Sequence, residues 1–340
     1  MKIFADQHHM GLYHSLKMLL EDRLGHSLYH PIGTEWLSER HWRMAEIYNN
    51  HPATVAQYLG IRPDYELVEP GIYKVYDPQH ECYNHGMTLD KFREVRPDVV
   101  IASIPEHIDS FKKLADEVGA KMIYQIGNAW PVEAGLAPNV MSSAKIASIP
   151  PDVHFIEYHQ EFPLDIFCYH PPELTRNIFS FINCFGSTNL YRADWPLFEE
   201  VELLLSTWYF RAFGASCRDG EASGVKEVSD RMRKSRFIWH TKAGGDGYGH
   251  ILYNTAAVGR PMLIKCEYYS GKMGEELLID GQTCIAVDGL SPQEIVNKIE
   301  YYNEPERYAK MSEDIYNNFK DKVNFESETQ KLKEFIDNLT

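Results

Sequence analysis

The chain has 340 residues, 44% of them apolar and 24% charged, an ordinary balance for a folded protein and enough length for two cores. Its formal net charge of −15 argues against a general nucleic-acid-binding face, which needs clustered Lys and Arg to displace counterions, and against binding to an anionic membrane. The six cysteines are scattered with no Cys-x-x-Cys pair, so neither a zinc knuckle nor a redox motif is indicated; they read as buried thiols of a reducing compartment.

The start has no apolar core of signal-peptide length, and no run of about 18 apolar residues offers a membrane span. The expected location is therefore the cytoplasm, a host cytoplasm if the gene is a phage's. Residues Lys2–Ala5 read as a strand and end in the polar loop Asp6-Gln7-His8-His9. From Leu12 apolar residues recur at helical spacing until Gly25, and Ser27–Pro31 reads as the next strand. The segment 33–96 is less regular, rich in aromatic and histidine side chains, and reads as an insertion suited to acceptor recognition. Asp98–Ser103 is a buried strand, with His107 just past it. Ile108–Val118 is an amphipathic helix closed by Gly119, Ala120–Ile126 is a strand, and Val153–Tyr158 is another. Alternating strands and helices predict a mostly parallel sheet with helices on both faces.

Prolines 163, 171 and 172 mark a boundary, and a second series begins near Asn177. Ile178–Asn183 is a strand followed by a loop containing Ser187, and a helix runs from Ala193 to Leu205. Trp208–Phe213 is a strand whose end carries Gly214 and Ala215, and Gly224–Ser235 holds a short helix. After the strand Phe237–Lys242 come Gly244-Gly245-Asp246-Gly247-Tyr248-Gly249, a helix from His250, and the strand Met262–Ile264. Ser291, Pro292 and Glu294 form a helix start with a capping serine, a proline in the first turn and an acid at the third position.

Glycines between a strand and a helix let the backbone approach a ligand, and the helix N-terminus offers N–H groups and partial positive charge to a phosphate. An acid inside such a loop repels phosphate. Asp246 therefore has another task, such as a sugar or ribose hydroxyl.

The second half resembles the GT-B glycosyltransferases, particularly the retaining group that uses sugar nucleotides. Their motif runs Glu-Gly-Phe-Gly, four variable residues, Glu-Ala, then small residues ending in Gly-x-Pro. Asp246-Gly247-Tyr248-Gly249 is similar to its opening, Asn254 falls at the second Glu, and Ala256, Ala257, Gly259 and Pro261 match the tail without a gap. The resemblance implies two doubly wound Rossmann-like α/β domains facing a cleft: 1–170 on the acceptor side and 171–319 for the nucleotide sugar. A last helix, about 320–340, packs back on the first. It also implies that Asp246 contacts the transferred sugar and Asn254 the ribose, while Gly244, Gly245, Gly247, Tyr248, Gly249 and His250 line the diphosphate. A neutral Asn keeps hydrogen-bonding capacity but loses the charge of the family's acid. The family's diphosphate cations have Arg192 or Lys242 as counterparts, beside Ser187, and Gly214 and Ala215 are placed to meet the nucleobase. No tightly bound cofactor or metal is implied; the co-substrate is a nucleotide sugar, a UDP-sugar being favoured.

On the acceptor side the expected residues are Asp6, His8, His9 and His107, a histidine beside a carboxylate being a general base for an acceptor hydroxyl. The acceptor stays open between a glycan, a small molecule and a hydroxylated DNA base. Two other readings fit the same fold, a sugar-nucleotide epimerase and a non-catalytic protein that clamps a sugar nucleotide.

Overall fold

A computed structural model describes residues 1–7, 9–32, 63–127, 134–171, 173–187 and 191–340. The chain divides into two compact units, Met1–Glu161 with Phe325–Thr340, and Phe162–Asn324.

The first unit is built on a nine-stranded sheet. Its strands are β1 (Lys2–Ala5), β2 (Ser27–Pro31), β3 (Glu66–Glu69), β4 (Ile72–Asp77), β5 (Cys82–Met87), β6 (Val99–Ala102), β7 (Lys121–Ile126), β8 (Asn139–Ser142) and β9 (His154–Glu157). They lie in the order β3-β4-β5-β2-β1-β6-β7-β8-β9. All pairings are parallel except those of β4, which runs antiparallel to β3 and β5. The central strands are buried on both faces. Ile3, Ala5, Val99 and Ile101 join a cluster with Leu16, Leu332 and Phe335, whereas Phe4, Val100 and Ala102 join Phe92, Ile108 and Phe111 on the other face. The helices supplying those partners are α1 (Met10–Leu16), which continues as a π-helical segment Lys17–Arg23, then α2 (Leu89–Val95), α3 (Pro105–Val118) and the C-terminal α9 (Phe325–Asp337). Gly119, at φ +75°, closes α3 in the left-handed region.

Two readings of this half change. The irregular stretch contains the hairpins β3-β4-β5 and the helix α2, hidden because their exposed face carries Tyr76 and Tyr83 rather than an apolar stripe. The helix read from Ile108 starts earlier: Pro105, at its first position, places His107 in the first turn of α3.

The second unit carries a five-stranded parallel sheet of β10 (Asn177–Ser180), β11 (Tyr209–Ala212), β12 (Phe237–His240), β13 (Met262–Ile264) and β14 (Cys284–Ala286), in the order β11-β10-β12-β13-β14. Its helices are α4 (Trp195–Leu204), α5 (Gly224–Lys234), α6 (His250–Val258), α7 (Pro292–Asn303) and α8 (Pro305–Lys322). Ile178, Trp239, Leu263 and Ile285 meet Phe198 of α4 and Ile295 and Ile299 of α7 in one core. Ser291 caps α7 as expected, with the reciprocal Glu294 bond present. Among the described residues no helix is long and apolar enough to cross a membrane.

In each sheet the chain reverses direction beside one strand. β1 sends its successor β2 to one side and β6 lies on the other; β10 does the same with β11 and β12. Doubly wound sheets bind ligands at the carboxyl ends of the strands flanking such a reversal. Asp6 and His9 follow β1, and the glycine run follows β12.

Candidate functional site

In the second unit the glycine run folds around its acid. Lys242 forms an ion pair with one Asp246 oxygen. The other oxygen lies 3.5 Å from His240 Nε2 and accepts from the Tyr269 hydroxyl at 3.4 Å. Burial alone would raise the Asp246 carboxyl, but His240 and the Lys242 charge hold it well below the usual carboxylate range. Burial works on its neighbours too. It lowers His240, and with the Asp246 charge it raises Tyr269 well above an ordinary tyrosine. Asp246 is therefore a fixed anion whose charge is already matched by Lys242. The repulsion an unpaired acid would exert on a phosphate is largely cancelled at the loop itself.

Gly245 has a reason that sequence alone does not show. Its φ is +63°, and a Cβ there would collide with the Tyr268 carbonyl oxygen and sit 2.8 Å from Lys272 Nζ. The glycine makes room for the short 3₁₀ turns Cys266–Tyr269 and Met273–Leu277, which fold against the run. A Cβ on Gly244, at φ +78°, would meet nothing within 4 Å. Gly249 ends the run as the N-cap of α6, at φ +87°. On α6, Asn254 is 7% exposed and its Oδ1 has no hydrogen-bond partner among the described residues. Tyr248 is buried and stacks on Tyr253 with ring centroids 4.3 Å apart, and Tyr253 donates to Glu276 at 2.7 Å. His250 stands edge-on to Tyr248 at 5.3 Å.

The loop after β10 comes to the same edge. Asn183 Oδ1 accepts from the Ala215 N–H at 3.0 Å, and the Cys184 N–H donates to the Ala215 carbonyl at 2.7 Å. Gly214, at φ +141°, lets the chain pass Asn183, where a Cβ would sit 2.7 Å from Oδ1. Gly214 and Ala215 thus join two loops through their backbone. Ser187 and Arg192 are exposed, and Arg192 makes no ion pair among the described residues. A second paired cation lies beside them: Lys265 Nζ is 2.6 Å from Asp194 Oδ1, whose other oxygen accepts from Tyr268 at 2.9 Å. Asp194, Lys265, Tyr268, Tyr269 and Lys272 carry no motif. Their meeting depends on β13 ending beside β12 and α4 starting above β10, which no local pattern encodes.

In the first unit, His107 Nδ1 and Asp6 Oδ2 are hydrogen-bonded and both residues are buried. Ser103, from the end of β6, donates to the Asp6 carbonyl at 3.4 Å and to Gln125 at 3.2 Å. His9 is the N-cap of α1, its Nδ1 accepting from the Leu12 N–H at 3.3 Å. His8 lies outside the described residues. Among those described, no group of three or more His, Cys, Asp or Glu side chains is arranged to hold a metal.

Solved structures match this arrangement over its whole length. The Anabaena protein HepE in complex with UDP and glucose is similar with a TM-score of 0.67 at 9% identity, covering 99% of both chains. The fold is GT-B. A glycosyltransferase from Rickettsia africae shares this GT-B architecture at TM-score 0.64 and 12% identity, over 99% of each chain. The pneumococcal O-GlcNAc transferase GtfA in complex with UDP and GlcNAc does so at 0.62 and 10%, covering 100% of this chain and 99% of its own. No protein-family model and no curated protein matches the sequence.

Proposed function

We propose that the chain is a glycosyltransferase that takes a sugar from a nucleotide-sugar donor, a UDP-sugar, and passes it to an acceptor hydroxyl. The observation that carries this reading is Asp246, an acid kept ionised and paired with Lys242 inside a glycine run that opens α6. Solved structures of this fold, HepE with UDP-glucose and GtfA with UDP and GlcNAc, support the choice of nucleotide. In this reading the backbone of 244–249 and the α6 N-terminus receive the diphosphate, Asp246 accepts from hydroxyls of the sugar, and Asn254 Oδ1 accepts from the ribose. The acceptor oxygen attacks the anomeric carbon, the bond from that carbon to the diphosphate oxygen breaks, and the nucleoside diphosphate leaves with the bonding electrons. Charge grows on the departing diphosphate, so donors fixed before the reaction lower the barrier.

The first unit serves the acceptor. Asp6 orients His107, and the pair accepts the proton released by the acceptor hydroxyl; His9, as a helix cap, holds the start of the helix that follows.

The test is a thermal-shift screen with UDP-, GDP-, ADP- and dTDP-sugars, followed by product analysis of the donor that binds. Stabilisation by one donor and acceptor-dependent release of its nucleoside diphosphate are expected. No stabilisation by any of them sinks the reading, and an epimerised donor formed without acceptor replaces it with an isomerase.

A further inference from the structure

The cations around the glycine run are not equivalent. Lys242 is matched by Asp246, and Lys265 by Asp194. Lys272 has no ion pair among the described residues; its ammonium donates to the Gly244 carbonyl and forms no other hydrogen bond among them. An ammonium carries three donors, so two are left for a ligand. The acids nearest in sequence are engaged elsewhere: Glu275 accepts from the Gly271 N–H at 2.8 Å, and Glu276 from the Tyr253 hydroxyl at 2.7 Å. Burial lowers the Lys272 ammonium, Asp246 opposes that, and Lys242 adds to it, so the net direction is down. An anion docked beside it would reverse that direction.

The chain is built to keep Lys272 there. Only a glycine at 245 leaves space for Lys272 Nζ and the Tyr268 carbonyl, and Gly244 presents open space on its own Cβ side. Arg192, at the place where the family resemblance puts the diphosphate cation, is exposed and forms no ion pair among the described residues.

We propose that Lys272, reaching in from the turns after β13, is the cation that holds the diphosphate of the bound nucleotide. The site therefore selects nucleoside diphosphates over the corresponding nucleosides through a residue outside the glycine motif. This inference rests on the donor-site reading above.

Titration calorimetry tests it with wild type, Lys272→Gln and Lys272→Arg against the best-bound of UDP, GDP, ADP and dTDP and against its nucleoside. Gln keeps a donor for the Gly244 carbonyl and removes the charge. One charge-assisted contact corresponds to roughly a 10- to 100-fold loss of diphosphate affinity in Lys272→Gln, with the nucleoside changed by less than about threefold and Lys272→Arg close to wild type. Equal losses for diphosphate and nucleoside mean damage to the loop and overturn the inference. So does unchanged diphosphate affinity, or a selective loss found in Lys242→Gln instead. A wild type that binds none of the four diphosphates overturns the donor-site reading as well, which separates the two failures.

Discussion

His240 Nε2 stands 3.5 Å from Asp246 Oδ2, so the last residue of β12 reaches the acid in the middle of the glycine run. His240 is 1% exposed, and its Nδ1 has no hydrogen-bond partner among the described residues. Three groups from different positions, His240, Lys242 and Tyr269, thereby converge on one carboxylate. Such convergence fixes the acid's position and charge before any ligand arrives, which is the condition for electrostatic help at low reorganisation cost.

Asp246→Asn keeps the shape and removes the charge. Lys242 then loses its partner in a partly buried setting, so unfolding free energy should drop by about 2 kcal/mol, between the values for exposed and fully buried pairs. Sugar transfer should fall by about 100-fold or more, the scale of losing one preorganised charge contact. Urea denaturation and donor turnover measure the two effects. Full activity in the Asn variant would remove Asp246 from the site.

Asn254 separates binding from folding. Its Oδ1 is buried without a partner among the described residues, so Asn254→Ala breaks no hydrogen bond to them made through that oxygen, and the melting temperature should change little. If Oδ1 accepts from the ribose, the variant should lose its preference for a nucleoside diphosphate over the 2′-deoxy form, by about fivefold for one hydrogen bond. An unchanged preference removes the ribose contact from this residue.

Gly244 and Gly245 look alike in sequence and differ in space. Gly244→Ala meets nothing and bears only the left-handed backbone cost, about 1 kcal/mol. Gly245→Ala adds a collision with the Tyr268 carbonyl, and its cost should exceed that of Gly244→Ala by about 1–3 kcal/mol. Paired urea melts decide it, and equal costs would mean that the 266–277 turns are not seated on the run.

Acid should destabilise the first unit before carboxylates are involved. Burial lowers His30 to about 4, and burial with the neighbouring His80 lowers His14 to about 3, from an unfolded value near 6.5. A lowered folded pKa means the unfolded chain takes up the proton first. Stability is therefore complete above pH 6.5 and declines as the pH falls toward these values, with His30 alone responsible for roughly 3 kcal/mol at pH 4. His30→Gln should flatten the stability curve between pH 6.5 and 4. The same slope in wild type and variant would contradict the assignment.

Much of this architecture is legible in the sequence. β1, β6, β10, β12 and β13 are short apolar runs because both faces of a parallel sheet are covered, and Gly119 and Ser291 mark helix ends through backbone rules that act locally. β8 escaped notice: Asn-Val-Met-Ser has no pattern of its own, and Asn139 is buried because its amide reaches the Met122 carbonyl at 2.9 Å and the Thr340 carbonyl at 3.1 Å. The site divides the same way. Asp246 and Asn254 stand at motif spacing along one loop and helix. Tyr269 and Lys272 reach that loop through sheet order, and the Asp6–His107 bond joins the residue after β1 to the first turn of the helix after β6, two strands that neighbour in space but not in sequence.

The last prediction concerns that bond. Asp6 and one ring nitrogen of His107 share a hydrogen bond, the contact by which a carboxylate orients a histidine base. His107→Gln and Asp6→Asn should each lower transfer by about 100- to 10,000-fold, the range for removing a general base. The affinity for UDP should stay unchanged, because the residues proposed for the nucleotide belong to the other unit. Urea melts run beside the rates distinguish a proton-transfer role from a structural one: transfer should fall in both variants while most of the folding stability is kept. Transfer at the wild-type rate in His107→Gln would place the base elsewhere.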